Sequence, residues 1–295
     1  MQVKEFEKQL QTDREMIGRR LAVLLPSEQE LPVSLHSAMR YATLGGGKRL
    51  RGILCCASHR LFGDPYPQGS LDAACALEIL HAYTLIHDDL PSLDDDDLRR
   101  GKPSCHVRFG EATAILAGDA LQARAFEVLA RTEAPQERVL GSLRILAQTA
   151  GSLYLVGGQV ADLEGEGKTA TPELVDFIHL RKTAQLIAAS LGIGACLAGC
   201  GAERLTGIMA VGRKVGYAFQ IVDDILDIEG SEDLMGKGLR KDSKRGKITH
   251  PAVFGIDGSR RVVHELIEES VAAIRDMGDA GYLGQLFSLI GKRVS

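Results

Sequence analysis

Residues 85–101 read LIHDDLPSLDDDDLRRG. An apolar run leads in, six of the ten residues from Asp88 to Asp97 are aspartate, and Arg99 and Arg100 follow at once. Carboxylates that emerge from apolar sequence belong at the mouth of a core rather than on a polar face. Pro91 distorts or ends a helix that carries Asp88 and Asp89. Asp94 stands six residues after Asp88, which is not two whole turns of a straight helix. A bulge at Pro91 is what would bring the two together around a metal.

The stretch has an echo at residues 220–230, QIVDDILDIEG. Both place Asp-Asp after apolar residues, with another aspartate downstream. Asp223, Asp224 and Asp227 lie in a helical pattern without proline. Residues three and four apart are neighbours on a helix, so Asp227 stacks beside both others. Three crowded carboxylates need a compensating cation or water. Magnesium suits such a patch, because it takes one or two carboxylates and lets substrate phosphates complete its shell. A solvated acidic surface is the alternative for an isolated aspartate run, but the approaches TLIHDD and AFQIVDD weigh against it. An EF-hand fails, since the sixth loop position counted from Asp94 is Arg99 and not glycine.

Elsewhere the dominant period is helical. Val263, Leu266, Ile267, Ile274 and Met277 fall near one face, as do Met16, Leu21, Leu24 and Leu25, and mid-chain Val175, Ile178 and Leu186. Ala112–Arg131 and Leu186–Gly199 are rich in Ala and Leu and apolar nearly all round, which suits buried helices. No β-type alternation and no Asn-Gly hairpin signal is found. Breaks fall at Phe62–Ser70, Thr132–Glu137 and Glu164–Glu173, the last ending with Thr171 as an N-cap and Pro172 at the first helical position. Glu229–Lys247 is a long polar loop, of a kind that is usually functional or mobile. No composition shift divides the chain. The expectation is one all-α domain over residues 1–295, a helical bundle of roughly ten helices.

Composition narrows the class. With 295 residues, 45% hydrophobic and 25% charged, the chain can bury a large core. A formal charge of −4 leaves no nucleic-acid footprint and no polybasic membrane patch. The six cysteines make no C-x-x-C pair, and several lie in apolar runs, which reads as core thiols in a reducing compartment. The charged N-terminus lacks a signal core, and no stretch of 18 apolar residues occurs. A cytoplasmic protein without a membrane span is expected.

Cations complete the pattern. Gly45–Arg51, GGGKRLR, sets glycines for close backbone approach beside Lys48, Arg49 and Arg51, although it is no Walker A sequence, and a basic turn at a helix start remains open. Arg99 and Arg100 suit bidentate phosphate binding or charge balance for Asp94–Asp97. Lys182, beside Thr183, lies on an apolar helix where a lysine more often snorkels. Lys237 and Lys247 could reach an anion from the polar loop or remain solvated. His81, His87 and His106 flank the first cluster and are not read as metal ligands. Together these residues suggest a ligand with an anionic diphosphate head, bridged by metal to carboxylates, and a greasy tail in a cavity below.

The ordered set GGGKRLR, HAYTLIHDDLPSLDDDDLRRGKPSCH, GEATAILAGDAL, GGQVADL, RKTAQLI, FQIVDDILDI and GKITHP resembles the trans-isoprenyl diphosphate synthases, specifically the bacterial short-chain farnesyl diphosphate synthases. The likeness runs from about residue 40 to 255. It implies an all-α bundle around a deep apolar cavity, and a homodimer. The chemistry implied is head-to-tail condensation of isopentenyl diphosphate with an allylic diphosphate, dependent on magnesium, three ions per site with diphosphate bound, or on manganese.

Carried over by motif, Asp88, Asp94 and Asp223 would be the metal ligands, with Asp89, Asp224 and Asp227 in support. Arg99, Lys182 and Lys237 would hold the allylic diphosphate. Lys48, Arg51, His81 and Arg100 would hold isopentenyl diphosphate. Thr183 and Gln220 would sit near the developing cation, and Lys247 would close over the diphosphate. Bulk four and five residues before Asp88, at Thr84 and Tyr83, would form the cavity floor, and Tyr83 points to a fifteen-carbon product, with ten or twenty carbons as alternatives. Gly52 stands in place of a usual proline and Arg240 in place of a usual glycine. A terpene cyclase or head-to-head synthase would lack the GGGKRLR and DDxxxxD set, and an inactive regulatory subunit would typically lose one Asp motif.

Overall fold

Short breaks divide the first part of the chain into four helices. In the computed structural model, which describes residues 1–63, 67–229, 246–279 and 281–294, these are α1 (Val3–Leu24), α2 (Val33–Leu44), α3 (Leu50–Phe62) and α4 (Pro67–Asp88). The inward stripe of α1 carries Phe6, Ile17 and Leu21. Met16, expected on that stripe, is 42% exposed, because the true stripe runs one residue later. α4 starts at Pro67, so the loop expected over Phe62–Ser70 is shorter. Proline is well tolerated in a first helical turn, where its missing N–H has no partner to lose.

Then come α5 (Cys105–Phe109), α6 (Glu111–Ala130), α7 (Gln136–Ala150), α8 (Leu155–Gly165) and α9 (Pro172–Ile178). Thr171 caps α9, its side chain accepting from the Leu174 N–H, with Pro172 next in the chain. The helix expected to continue from Val175 to Leu186 changes character. His179–Ala184 is a π-helical segment, and α10 (Gln185–Ala198) follows. Such bulges are frequent at functional sites, and this one carries Lys182 and Thr183. The chain ends with α11 (Ala202–Glu229), α12 (His250–Asp276) and α13 (Tyr282–Gly291).

The fold is all-α. The strand content among the described residues is one hairpin, Leu98–Arg99 paired antiparallel with Lys102–Pro103. Its two turn residues, Arg100 and Gly101, both have positive φ, the geometry of a two-residue hairpin turn that matches strand twist.

α10 lies at the centre, packed on α3, α4, α7 and α11, and every residue in it except Cys196 is buried. A single apolar cluster runs from Phe6 to Ile290, with a satellite of Val175, Ile178 and Ile248. α11 approaches the π segment closely, because a Cβ on Gly216 would lie 2.5 Å from Ala184 Cα. The six cysteines are free thiols, four of them buried. Burial pushes the Cys56 thiol up to about 12, so it stays protonated as a small core residue. Gln136–Gly165 is apolar enough by composition to pass for a membrane span, but the chain turns at residues 151–154 and divides there into α7 and α8.

Candidate active site

α4 ends where Pro91 requires, and the loop after it folds back on the helix end. Asp94 N–H donates to Asp88 O at 2.8 Å, Asp96 N–H to Asp89 O at 3.2 Å and Asp95 N–H to Leu90 O at 3.0 Å. These bonds satisfy carbonyls that a helix terminus leaves open. They also return Asp94 beside Asp88. Both face a cavity of about 840 Å³, within the range of small-molecule sites.

The mouth is a field of paired charges. Lys182 Nζ donates to Asp162 Oδ2 at 2.6 Å, and Lys247 Nζ donates to Asp94 at 2.9 Å and to Asp162 at 3.4 Å. Burial, with Asp94 beside it, pushes the Asp88 carboxyl up to about 6 against the pull of Lys182, Arg99 and Lys247. Burial acts on Asp94 the same way, but Lys247 and Lys182 outweigh it and hold its carboxyl below the usual range. Burial opposes the charge on Lys182, yet Asp162 and Asp88 keep its ammonium above the ordinary lysine value. Lys182 is therefore no snorkelling surface residue.

Within each Asp-Asp pair the two side chains part company. Asp89 is 2% exposed and turns inward, where Arg99 clamps it through Nε at 2.9 Å and through Nη2. Arg99 also stands 3.6 Å from Asp96. Asp223 stays at the mouth, paired with Arg293 at 2.9 Å. Asp224 and Asp227 are buried, so the three carboxylates do not share one open face as the spacing suggests. Asp88, Asp94, Asp223 and Asp224 line the cavity, whereas Asp89 and Asp227 do not.

On the glycine-rich side, Arg100 Nη1 donates to the Gly46 carbonyl. Its guanidinium packs on Gly47, whose φ is +125° and whose missing Cβ leaves it room. Arg51 Nε is buried with no partner among the described residues, a donor left for an anion. Burial and the nearby Arg51 and Arg100 keep His81 neutral, well below the usual histidine range. Burial lowers Lys48 first, and Arg293 adds to it. Lys48, Arg51, His81, Arg99 and Arg100 all line the same cavity, as do Lys182, Thr183, Gln220 and Lys247. Lys237 lies outside the described residues.

One turn of α4 before Asp88, Tyr83 and Thr84 line the cavity wall. Thr84 Oγ1 donates to the His81 carbonyl at 2.8 Å. The Tyr83 ring meets His87 edge-on at 5.2 Å. His87 is pinned in turn, with Nε2 3.1 Å from the Ile115 carbonyl and its ring lying over Gly118, where a Cβ would collide with it.

Sequence reading alone missed several lining residues. Asp162, the anion shared by two lysines, is the one charge in the stretch GGQVADL, with Gln159 one turn before it. Gln159 Nε2 is buried without a partner among the described residues. Glu78 is a buried acid in the apolar middle of α4, accepting the Gly52 N–H at 2.9 Å and lying 3.7 Å from Arg49. Arg293 carries no local signal and reaches Asp223 only through the fold of α13.

The donor set fits magnesium. Among the described residues no three acidic, histidine or cysteine side chains converge into a closed cage. Asp88, Asp94 and Asp223 instead offer hard oxygens around an open volume with buried unpaired donors nearby, as suits an ion whose shell a diphosphate completes.

A helical bundle around a cavity whose carboxylates and cations stand beside apolar side chains such as Leu155, Val160, Leu163 and Leu186 suits an enzyme that handles a diphosphate with a hydrocarbon tail. The polyprenyl synthetase family model matches residues 32–280. The farnesyl diphosphate synthase of Geobacillus stearothermophilus is 42% identical over 270 residues, 90% of either chain. The geranylgeranyl diphosphate synthase of Cyanophora paradoxa is 42% identical over 242 residues, 81% of this chain and 80% of that one. A solved geranyltransferase from Helicobacter pylori, complexed with magnesium and isoprenyl diphosphate, matches with a TM-score of 0.84 at 29% identity over 95% of each chain. The chain belongs to the polyprenyl synthetase family and is a prenyltransferase. Relatives of near-equal identity make fifteen- and twenty-carbon products by name, so the family leaves product length open.

Proposed function

We propose that residues 1–295 act as one magnesium-dependent farnesyl diphosphate synthase, condensing isopentenyl diphosphate with dimethylallyl and then geranyl diphosphate. The observation that carries the fifteen-carbon reading is Tyr83, a bulky ring on the cavity wall braced by His87. Asp88, Asp94 and Asp223 would hold magnesium, three ions per site or manganese in their place, which supplies positive charge against the departing diphosphate. Arg99, Lys182 and Lys247 hold the allylic diphosphate, together with Lys237. Lys48, Arg51, His81 and Arg100 receive isopentenyl diphosphate. As the allylic C–O bond breaks, the electron pair leaves with diphosphate, and the double bond of isopentenyl diphosphate forms the new C–C bond. The proton then lost passes to the departing diphosphate.

Fixed charges that meet growing negative charge in a water-poor site are the largest lever an enzyme of this kind has. Free, buried thiols are consistent with a cytoplasmic enzyme. A second copy is the partner we assign to the exposed apolar side chains Leu116, Leu140 and Leu153. The test supplies purified protein with dimethylallyl diphosphate, labelled isopentenyl diphosphate and magnesium, followed by dephosphorylation and chromatography. Farnesol as the main product is expected, while geranylgeraniol would overturn the floor assignment and keep the chemistry. Consumption of the allylic substrate without isopentenyl diphosphate would point to a cyclase instead.

A further inference from the structure

Where α11 meets the π segment, three side chains form a directed chain. Thr183 Oγ1 donates to Gln220 Oε1 at 2.6 Å, and Gln220 Nε2 donates to Asp224 Oδ1 at 3.0 Å. A carboxamide has one donating end and one accepting end. Its orientation therefore decides which way every proton in the chain points. Asp224 is the fixed end. Its Oδ2 accepts the backbone N–H of His250 at 2.9 Å and lies 3.3 Å from His179 Nε2. Donors thus reach it from α11 and the start of α12, with the neutral His179 ring beside them. With the amide reversed, its oxygen would face a carboxylate oxygen, two acceptors against each other.

We propose that Asp224 is a positioning residue that sets the polarity of this chain, so that Thr183 turns its lone pairs, not its proton, toward the cavity. The inference rests on the prenyl-transfer reading above. Under that reading the allylic diphosphate lies at the mouth and its carbons lie below. Gln220 sits three residues before Asp223, roughly 4.5 Å down the helix axis on the same side. Thr183 directly follows Lys182, and both Thr183 and Gln220 line the cavity. They flank the first carbons, where positive charge grows as the C–O bond breaks. An oxygen presenting lone pairs stabilises that charge, whereas the same hydroxyl reversed presents its positive end and opposes it. Asp224 settles that choice through Gln220: it lines the cavity, but its Oδ1 is taken by Gln220 and its Oδ2 by the His250 N–H. This role differs from metal support, which would need its oxygens at the mouth.

A double-mutant cycle with Mg²⁺ titrations tests it. In Asp224→Asn the immovable His250 N–H claims the remaining oxygen, the new NH₂ faces Gln220, and the amide flips. Asp224→Asn is expected to lower kcat by about 100-fold, on the scale of one misdirected dipole. KM for both diphosphates and half-saturating Mg²⁺ should stay within about threefold, since neither binding site is touched. Gln220→Leu should cost about as much, and adding Asp224→Asn to it should cost no more than about twofold further, because both act through one chain. Multiplicative losses, or a tenfold rise in half-saturating Mg²⁺ for Asp224→Asn, would overturn the proposal. If Asp224→Asn fails to fold, the pair Thr183→Val and Gln220→Leu serves, non-additive losses supporting the chain and additive ones overturning it. Wild-type turnover, run alongside, reports separately on the prenyl-transfer reading.

Discussion

The two ends of the cavity are built on opposite principles. At the mouth, Asp88, Asp94, Asp162, Lys182 and Lys247 sit within mutual reach and hold one another's protons. At the Tyr83 end, Tyr83 and His87 meet edge to face over Gly118, held mainly by shape and one carbonyl contact, with a single carboxylate, Asp119, 4.0 Å from His87 Nε2. Charge acts over several ångströms and tolerates small shifts, whereas packing acts at contact and tolerates none. The mouth should therefore govern rate and pH dependence, and the floor should govern product length with little effect on rate.

The sharpest way to break that division is Asp88→Asn. Turnover should fall by about a thousandfold, the scale of several kcal/mol of lost charge stabilisation. Stability should move the other way. Folded Asp88 titrates at about 6, above the roughly 3.9 of an unfolded aspartate. The folded state thus binds the proton more tightly. Its stabilising share is complete below about 4 and is lost as pH rises through 4 to 6, leaving a strained carboxylate at pH 7. The neutral amide removes that strain, so metal-free Asp88→Asn should melt about 2–4 °C higher in calorimetry at pH 7. In the wild type the same proton competes with metal, so apparent Mg²⁺ affinity should weaken as pH falls below about 6. An unchanged melting point and a flat Mg²⁺ profile would mean that Asp88 is not the strained ligand described here.

A smaller effect is expected from Asp162→Asn. Lys182 and Lys247 lose their shared carboxylate, and only Asp88 and Asp94 are left to oppose burial and the repulsion between the two neighbouring ammonium groups. Activity should fall by about tenfold, and the alkaline limb of the pH–rate profile should move to lower pH as Lys182 deprotonates sooner. Smallest in rate is Tyr83→Ala. Turnover should stay within about threefold while the product shifts to twenty carbons or beyond, read by chromatography of the dephosphorylated alcohols. An unchanged product would move the floor elsewhere, and a collapse in rate would show that the two ends are not separable.

Much of this molecule is legible in one dimension. Helical periodicity, the absence of strand patterns and the apolar approaches to Asp88 and Asp223 suffice for an all-α fold with carboxylates at a cavity mouth. Burying a stripe or breaking a helix at Pro91 is a local matter, decided within a few residues. What spacing could not decide is which way each side chain faces. Asp88 and Asp89 are adjacent and chemically identical, yet one lines the cavity and the other is clamped by Arg99 ten residues on. Asp223 and Asp224 both line the cavity yet meet different groups, one Arg293 from the C-terminal end and the other the His250 N–H and the His179 ring. The π segment and the close approach at Gly216 are equally invisible to a 3.6-residue period, and they place Thr183 on Gln220. A carboxylate's role depends on the donors it meets, and those that decide it here arrive from residues 10 to 153 positions away, so only the folded packing of α4, α8, α11 and α13 could assign it.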